Sequence, residues 1–173
     1  MNYGVLMGYS AVHGSLDLGV CLPMYLSGVC WTLVYDTVYA HQDKRDDRTV
    51  GIKSTALLFG DRTKEILGGF TAAQMALLCL AGVEAGAGIP YYMGARRPTC
   101  RRSSSSPMQG NRRPLFPVTG VAGMGMHQAW QLTSVNLDDG PDCQRKFISN
   151  RDAGAIMFGG ILVDKLMRLA LAA

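Results

Sequence analysis

Three aspartates and a lysine form the group of side chains best suited to chemistry in this sequence. Asp36, Asp43 and Asp47 fall within the stretch YDTVYAHQDKRDD, residues 35–47, and Lys53 follows shortly after it. Mg²⁺ prefers oxygen ligands and is typically held by one or two carboxylates together with the phosphates of a substrate. A lysine can add a point charge to the same phosphates. The stretch therefore predicts a site for Mg²⁺ and a diphosphate.

The spacing of the aspartates decides whether they can act together. On a continuous helix, which turns by about 100° per residue, Asp36, Asp43 and Asp47 fall within about 40° of one another. Tyr39 lies beside the stripe that they form. Carboxylates one turn apart repel each other, so a divalent cation would stabilise the stripe. On this reasoning Asp43 and Asp47 are the candidate metal ligands.

The same residues also have an ordinary explanation. An Asp-x-x-x-Asp pair is common on solvated helix faces, and three bases lie in the same part of the chain. Lys44, Arg45 and Arg48 could neutralise the acids directly through ion pairs. Spacing alone leaves both a charged surface helix and a metal site open.

The chain around this cluster is poor in charge and rich in apolar residues. Hydrophobic residues make up 48% and charged residues 17% of the 173 positions, whereas soluble domains average about 25% charged residues. Residues 18–35 and 66–83 carry no charge, and each run approaches the ~20 residues that a helix needs to cross a bilayer. We therefore expect two membrane helices, with two buried helices of a soluble bundle as the alternative. Between them we expect a helix end, a loop and a short helix.

Residues 94–120 differ from the rest in composition. They contain four prolines, a run of serines and six arginines, without which the net charge of +4 would be −2. Prolines break helices, and the segment has no apolar periodicity, so we expect a disordered insert between a region 1–93 and a region 121–173. A basic Ser/Arg segment can bind RNA, which makes a soluble RNA-binding protein a third hypothesis. The segment has a single aromatic residue, which argues against nucleic acid as a partner.

Several other features narrow the classes. The five cysteines are scattered and form no CxxC pair, so we expect neither a zinc site nor a disulfide framework. The first residues have neither the basic and apolar regions of a signal peptide nor the pattern of a transit peptide. From Asp152 onward the sequence predicts a C-terminal helix of about 20 residues, which Asp164 makes marginal as a membrane span.

The aspartate-rich stretch has a long match to a known family. The segment YDTVYAHQDKRDDRTVGIKSTALLFG resembles the second aspartate-rich motif of the UbiA-type intramembrane prenyltransferases, in the branch that prenylates 4-hydroxybenzoate for ubiquinone synthesis. That motif has a Tyr-Asp-Thr-x-Tyr-Ala run, an Asp-x-x-x-Asp pair and a Gly-x-Lys-Ser-Thr-Ala run. The matching residues are Tyr35, Asp36, Thr37, Tyr39, Ala40, Asp43, Asp47, Gly51, Lys53, Ser54, Thr55 and Ala56. The segments CLPMYLSGVCWTL and CQRKFISNR resemble the preceding helix and an element of the family's C-terminal portion.

The resemblance implies an all-α fold in which nine transmembrane helices surround a central cavity, and this chain would form the C-terminal portion of that bundle. It implies an integral protein of the mitochondrial inner membrane that transfers a polyprenyl group from polyprenyl diphosphate to 4-hydroxybenzoate, with Mg²⁺ as cofactor. Carried over by position, Asp43 and Asp47 would be catalytic and metal-binding, and Lys53, Asp36 and Tyr39 would bind substrate. The implied partners are these two substrates, the lipid bilayer and other enzymes of ubiquinone biosynthesis.

Two departures from the family pattern shape the functional expectation. The family's first aspartate-rich cluster, Asn-Asp-x-x-Asp-x-x-x-Asp, does not occur in these 173 residues. Residues 94–120 stand where the family has part of a transmembrane helix, as a splice product or a faulty gene model would produce. We therefore expect a C-terminal half with one of two metal clusters, which alone would be a poor enzyme. A non-catalytic membrane fragment is the alternative.

Overall fold

Helices follow from the long uncharged runs of the sequence. The computed structural model describes residues 3–93 and 120–172, and within these ranges every regular element is a helix. The α-helices are α1 (Tyr3–His13), α2 (Leu18–Ala40), α3 (Lys44–Val50), α4 (Thr55–Phe59), α5 (Thr63–Glu84), α6 (Ile89–Met93), α7 (Val121–Ser134), α8 (Gly140–Ile148) and α9 (Asn150–Ala172). A 3₁₀ turn, Gly60–Arg62, joins α4 to α5. The all-α prediction is confirmed over the described residues.

The two uncharged runs lie in the two longest apolar helical segments. Leu18–Ala40 and Thr55–Glu84 are long and apolar enough to cross a membrane, with mean hydropathies of 1.5 and 1.8. Only 28% and 33% of an 18-residue window in each segment is buried inside the bundle, whereas the core helix of a soluble protein is buried on most sides. Length, composition and the outward-facing apolar surface together favour an integral membrane protein over a soluble bundle.

The packing of α2 against α5 is the most extensive contact between two described helices. Around one end of this pair, α2, α5, α8 and the end of α7 contribute to a buried cluster made of Val34, Val38, Leu67, Leu132, Val135 and Cys143. Around the other end, a second cluster contains Leu78, Tyr91, Val121, Met124 and Ala153. The core therefore runs along the α2–α5 pair, with α7 touching both clusters.

The start of α2 and the second half of α9 are fixed by carboxylates. The Asp17 side chain accepts a hydrogen bond of 2.9 Å from the Gly19 amide, which satisfies one of the free N–H groups at the start of α2. In α9, Asp164 is 5% exposed and forms an ion pair of 2.9 Å with Arg168 one turn later. The Gly88 amide donates to the same carboxylate. The charge that makes α9 marginal as a membrane span thus attaches this helix to the turn before α6.

The predicted insert lies outside the described residues, apart from Gly120 at its end. Gly120 has a φ of 85°, and its amide donates a hydrogen bond of 3.0 Å to the Ile156 carbonyl. A Cβ at this position would overlap the backbone of Tyr91. Both the positive φ and the close approach of two backbones therefore require glycine at the entry to α7.

Replacing Gly82 by alanine should destabilise the bundle, because its Cβ would overlap the ring of Tyr91. Overpacking of a core typically costs about 1–3 kcal/mol. Gly69→Ala is the matched control on the same helix, since nothing lies within 4 Å of its Cβ position and alanine is the better helix former by up to about 1 kcal/mol. Thermal unfolding in detergent micelles, followed by circular dichroism, compares the two. Equal unfolding midpoints for both variants would contradict the packing of α5 against α6.

Candidate functional site

The predicted site residues lie on three consecutive pieces of chain at one end of the α2–α5 pair. Asp36 and Tyr39 are in the last two turns of α2, Asp43 and Asp47 belong to the start of α3, and Lys53 lies in the link to α4. The expected helix end, loop and short helix are present, with α3 and α4 as two short helices instead of one. The structure thus places Asp43, Asp47 and Lys53 in one continuous polar segment, residues 41–54, with Asp36 and Tyr39 in the last turns of α2 that lead into it.

The prediction of one acidic stripe along a continuous helix is wrong. The helix α2 ends at Ala40, because the amides of His41 and Gln42 bond the carbonyls three residues back, Val38 and Tyr39. Such tight bonds close a helix end. Asp43 then takes a non-helical conformation, with φ of −100° and ψ of 7°, at the N-cap of α3. The angular relation computed for Asp36 on an unbroken helix does not apply.

Asp43 and Asp47 remain one helical turn apart after this break. The Asp47 amide donates a hydrogen bond of 2.8 Å to the Asp43 carbonyl, and the Ile52 amide donates one of 2.9 Å to the Asp47 carbonyl. Gly51, with a left-handed φ of 79°, ends the helix between them and Lys53. Neighbours at this spacing have Cβ atoms about 5–6 Å apart, which suits two carboxylates that share one cation.

The carboxylates of the site are without ion pairs in the described part of the chain. No described lysine or arginine lies within ion-pair distance of Asp36, Asp43 or Asp47. Lys44 and Arg48, which could have neutralised them, do not do so, and the side chain of Arg45 lies outside the described residues. The structure therefore does not support the ordinary explanation, in which Lys44 and Arg48 form surface ion pairs with these acids.

The donor set fits a cation that brings other ligands with it. Over residues 3–93 and 120–172 no three His, Cys, Asp or Glu side chains come together closely enough to hold a metal. Two carboxylates alone do not make a closed protein site, but Mg²⁺ characteristically keeps waters and substrate phosphates in its remaining positions. Asp43, which is exposed, and Asp47, which is half-buried, match that incomplete kind of site.

A hydrogen-bond chain missed by the sequence analysis attaches the polar segment to α2. The hydroxyl of Thr37, which is fully buried, donates a hydrogen bond of 3.0 Å to the hydroxyl of Thr55 at the start of α4. One turn later, His41 Nδ1 lies 2.8 Å from the Thr37 carbonyl, which can only accept, so Nδ1 carries the proton. Both threonines were part of the motif match, but the bond between them joins residues 18 apart and is visible only in the fold.

The polar segment also contains side-chain groups that lack partners. Burial lowers the pKa of His41 below its ordinary value, and its Nε2 atom is buried without a hydrogen-bond partner. Gln42 Nε2 and Ser54 Oγ are in the same condition, so three of the four such atoms in the described residues lie between positions 41 and 54. Unsatisfied buried polar groups are costly, and three of those in the described residues fall in this short part of the chain.

Comparison with known proteins bears directly on this segment. Residues 1–95 match the model of the UbiA prenyltransferase family. The chain is 44% identical over 167 residues to the mitochondrial 4-hydroxybenzoate polyprenyltransferase of Drosophila melanogaster, covering 96% of this chain and 36% of that protein. Identity to the protein of the same description from Bos taurus is 43% over 167 residues, covering 96% and 38%.

The Arabidopsis thaliana protein of that description is 44% identical over 165 residues, covering 95% of this chain and 34% of its own length. The chain thus spans a little over a third of the length of the curated relatives it matches. No solved structure matches it.

Replacing Thr37 by valine keeps the shape of the side chain and removes the bond to Thr55. We expect a loss of about 1 kcal/mol, a typical net value for a hydrogen bond, and faster amide exchange in residues 43–54 than in α5. Hydrogen exchange with mass spectrometry measures the second effect. Thr133→Val is the control, because the hydroxyl of Thr133 is exposed and bonds only carbonyls of its own helix. Unchanged exchange in residues 43–54 would contradict the anchoring role of Thr37.

Proposed function

This chain belongs to the UbiA prenyltransferase family, and from that premise we propose that it serves the transfer of a polyprenyl group from polyprenyl diphosphate to 4-hydroxybenzoate in ubiquinone biosynthesis. The proposal extends to Mg²⁺ as the cofactor and the mitochondrial inner membrane as the location. Its support is the shared description of relatives from an insect, a mammal and a plant, together with the two helical segments long and apolar enough to cross a membrane.

One observation of the structure carries the proposal. Asp43 and Asp47, one turn apart at the end of an apolar helix, have no ion pair in the described residues, although Lys44 and Arg48 are close in sequence. Ionisable residues inside membrane segments are functional by default, and this pair follows directly after such a segment, which ends at Ala40. Two carboxylates without ion pairs in the described residues, with the unsatisfied donors Gln42 Nε2 and Ser54 Oγ close in sequence, favour a cation with a phosphorylated substrate over a purely structural role.

The proposal assigns a role to each predicted residue. Asp43 and Asp47 would hold Mg²⁺, with Asp36 supporting them from the last part of α2, and Lys53 would contact phosphate as a point charge. When bound, the cation supplies Lewis-acid neutralisation of the charge that develops on the diphosphate. Tyr39, 43% exposed, lies one turn after Asp36 and would line the substrate side of the same helix end.

The chemistry that these residues would support has a simple balance. The bond between the allylic carbon and the diphosphate oxygen breaks, and its electron pair leaves with the diphosphate. The allylic cation is attacked by the ring carbon next to the phenol carbon, a carbon–carbon bond forms, and that ring carbon loses its proton. The contribution of Asp43, Asp47 and Lys53 is electrostatic stabilisation of the leaving group, which is often the largest single term in catalysis.

The function is tested in a chimera, because the chain covers only part of its relatives. This chain replaces the matched 167 residues of the Drosophila melanogaster relative, in cells that lack their own 4-hydroxybenzoate polyprenyltransferase. Restored synthesis of prenylated 4-hydroxybenzoate supports the proposal. A chimera that reaches the membrane and remains inactive, while the intact relative is active, would favour the alternative of a non-catalytic membrane fragment.

Neutralising the aspartates should abolish the binding of cation and phosphate together. For the chain in detergent micelles, MgCl₂ with inorganic diphosphate should raise the unfolding temperature, and D43N or D47N should remove that increase. In the chimera each substitution should lower turnover by roughly 10²–10³-fold, the usual loss for one electrostatic group. Asp61→Asn is the control, because Asp61 is an exposed acid outside the pair. An equal loss in D61N would show general charge effects rather than a site.

A further inference from the structure

A cavity lies at the end of the α2–α5 pair that is far from Asp43 and Asp47. Its volume is about 490 Å³, and α1, α2, α5 and α9 contribute to its walls. Helix α2 has 23 residues and rises about 1.5 Å per residue, so about 35 Å of helix separates this cavity from the aspartates. Because the two membrane spans have their other ends here, at Leu18 and Glu84, the cavity lies at the opposite membrane surface.

The walls of the cavity change from apolar to charged along two helices. Val20 and Met24 line it one and two turns after Asp17 on α2, and Ile161 lines it one turn before Lys165 on α9. The apolar side chains are therefore deeper in the membrane span, and the charged ones are at its surface. A phospholipid has the same gradient between its headgroup and its acyl chains, and the membrane supplies that ligand.

Two carboxylates at the rim of the cavity converge. Asp17 Oδ1 and Glu84 Oε2 lie 3.2 and 3.5 Å from the position that a Cβ on Gly19 would occupy, so they share one small region. No described lysine or arginine lies within ion-pair distance of either acid. Glu84 is also the last residue of α5, where the helix dipole disfavours an anion. Both features favour a cation bound between these two carboxylates.

Two basic side chains of α9 line the same cavity. Arg168 pairs with Asp164 and donates a hydrogen bond to the Gly86 carbonyl. An arginine has five N–H donors, so these two bonds leave donors for an anion. Lys165 has no ion pair in the described residues. An anion can therefore bind on the α9 side of the cavity while a cation binds at the ends of α2 and α5.

We propose that this cavity binds the headgroup of a phospholipid that carries a primary amine. The ammonium group lies between Asp17 and Glu84, the phosphate lies at Lys165 and Arg168, and the acyl chains begin beside Met24. The ligand is a component of the bilayer and not a substrate, so the proposal depends on the membrane location and is independent of the transfer reaction.

The charges of the cavity distinguish between classes of phospholipid. Asp164 is a third carboxylate in the lining, so the acids outnumber the lysine and the arginine, and an anionic headgroup is disfavoured by repulsion. The quaternary nitrogen of a choline headgroup has no N–H to donate and is typically bound by aromatic cages. A primary ammonium has three donors, and its hydrogen bonds to carboxylates are strong. Ethanolamine is therefore the headgroup that fits.

Native mass spectrometry of the chain in detergent micelles tests the proposal with four lipids that have the same acyl chains. These are phosphatidylethanolamine, its N-methyl and N,N-dimethyl derivatives, and phosphatidylcholine, offered at equal concentrations. Across the series the N–H donors of the headgroup are replaced by methyl groups while its charges stay the same. We expect bound lipid to decrease stepwise, with phosphatidylethanolamine preferred over phosphatidylcholine by roughly tenfold or more, the value of a charged hydrogen bond.

Substitutions separate the ammonium side of the cavity from the phosphate side. Glu84→Gln and Asp17→Asn should each remove most of the preference, and asparagine keeps the oxygen that caps α2. Lys165→Gln should weaken all four lipids by the same factor, because the phosphate is common to them. Glu65→Gln is the matched control, since Glu65 is an exposed acid in the first turn of α5, at the other membrane surface.

Several outcomes would overturn the proposal. Equal binding of the four lipids by the wild-type chain would do so, as would a preference that survives in both acid variants or is lost equally in E65Q. Stronger binding of phosphatidylglycerol would show that the bases of α9 dominate the cavity. Loss of the preference in EDTA would assign the acids to a metal ion, and a dimer without lipid would assign the cavity to a second copy of the chain. The methyl series uses the wild-type chain alone, so it decides the proposal even where a variant unfolds.

Discussion

The packing of α2 against α5 is the contact on which the rest of the described structure depends. Val34 and Val38 of α2 and Leu67 of α5 are almost fully buried in it, and it brings the end of one helix beside the start of the next. The chain from 41 to 62 lies between those two ends and must therefore fold back over the pair. The polar segment with Asp43 and Asp47 is held at the end of the bundle because an apolar contact returns the chain there. α7 then contributes residues to both buried clusters, and its position determines where α8 and α9 pack.

The break in α2 after Ala40 changes what the aspartates can do. On an unbroken helix Asp36, Asp43 and Asp47 would have formed a rigid stripe that points in one direction. With the break, Asp47 lies in a short helix of seven residues and Asp43 is its N-cap, in a segment joined to the bundle through the Thr37–Thr55 bond. A short helix gains little stability of its own, so its position depends on that bond and on whatever neutralises its carboxylates. Binding of a cation would then order the segment as well as hold the substrate.

The sequence predicted the structure well where composition decides it. It was misleading where a turn interrupts a helix. The uncharged runs at 18–35 and 66–83 predicted α2 and α5 closely, because long apolar stretches have few ways to satisfy their backbone other than a helix. The prediction of one continuous helix was wrong at His41, because no residue type marks the point where the last carbonyls of α2 accept hydrogen bonds from amides three residues later instead of four. Trp31 and Asn150 are 119 residues apart, so no local pattern could have revealed the hydrogen bond that joins α2 to α9. The spacing of Asp43 and Asp47 could be predicted from the sequence, because both residues lie within one turn.

The arrangement along α2 has a physical logic for a reaction that separates charge. A diphosphate is strongly hydrated and requires cations, so under the proposed function it would lie at the polar end of the helix, beside Asp43 and Lys53. If both substrates shared the aspartate end, the carboxylate of the acceptor would be repelled by the same acids that hold the cation.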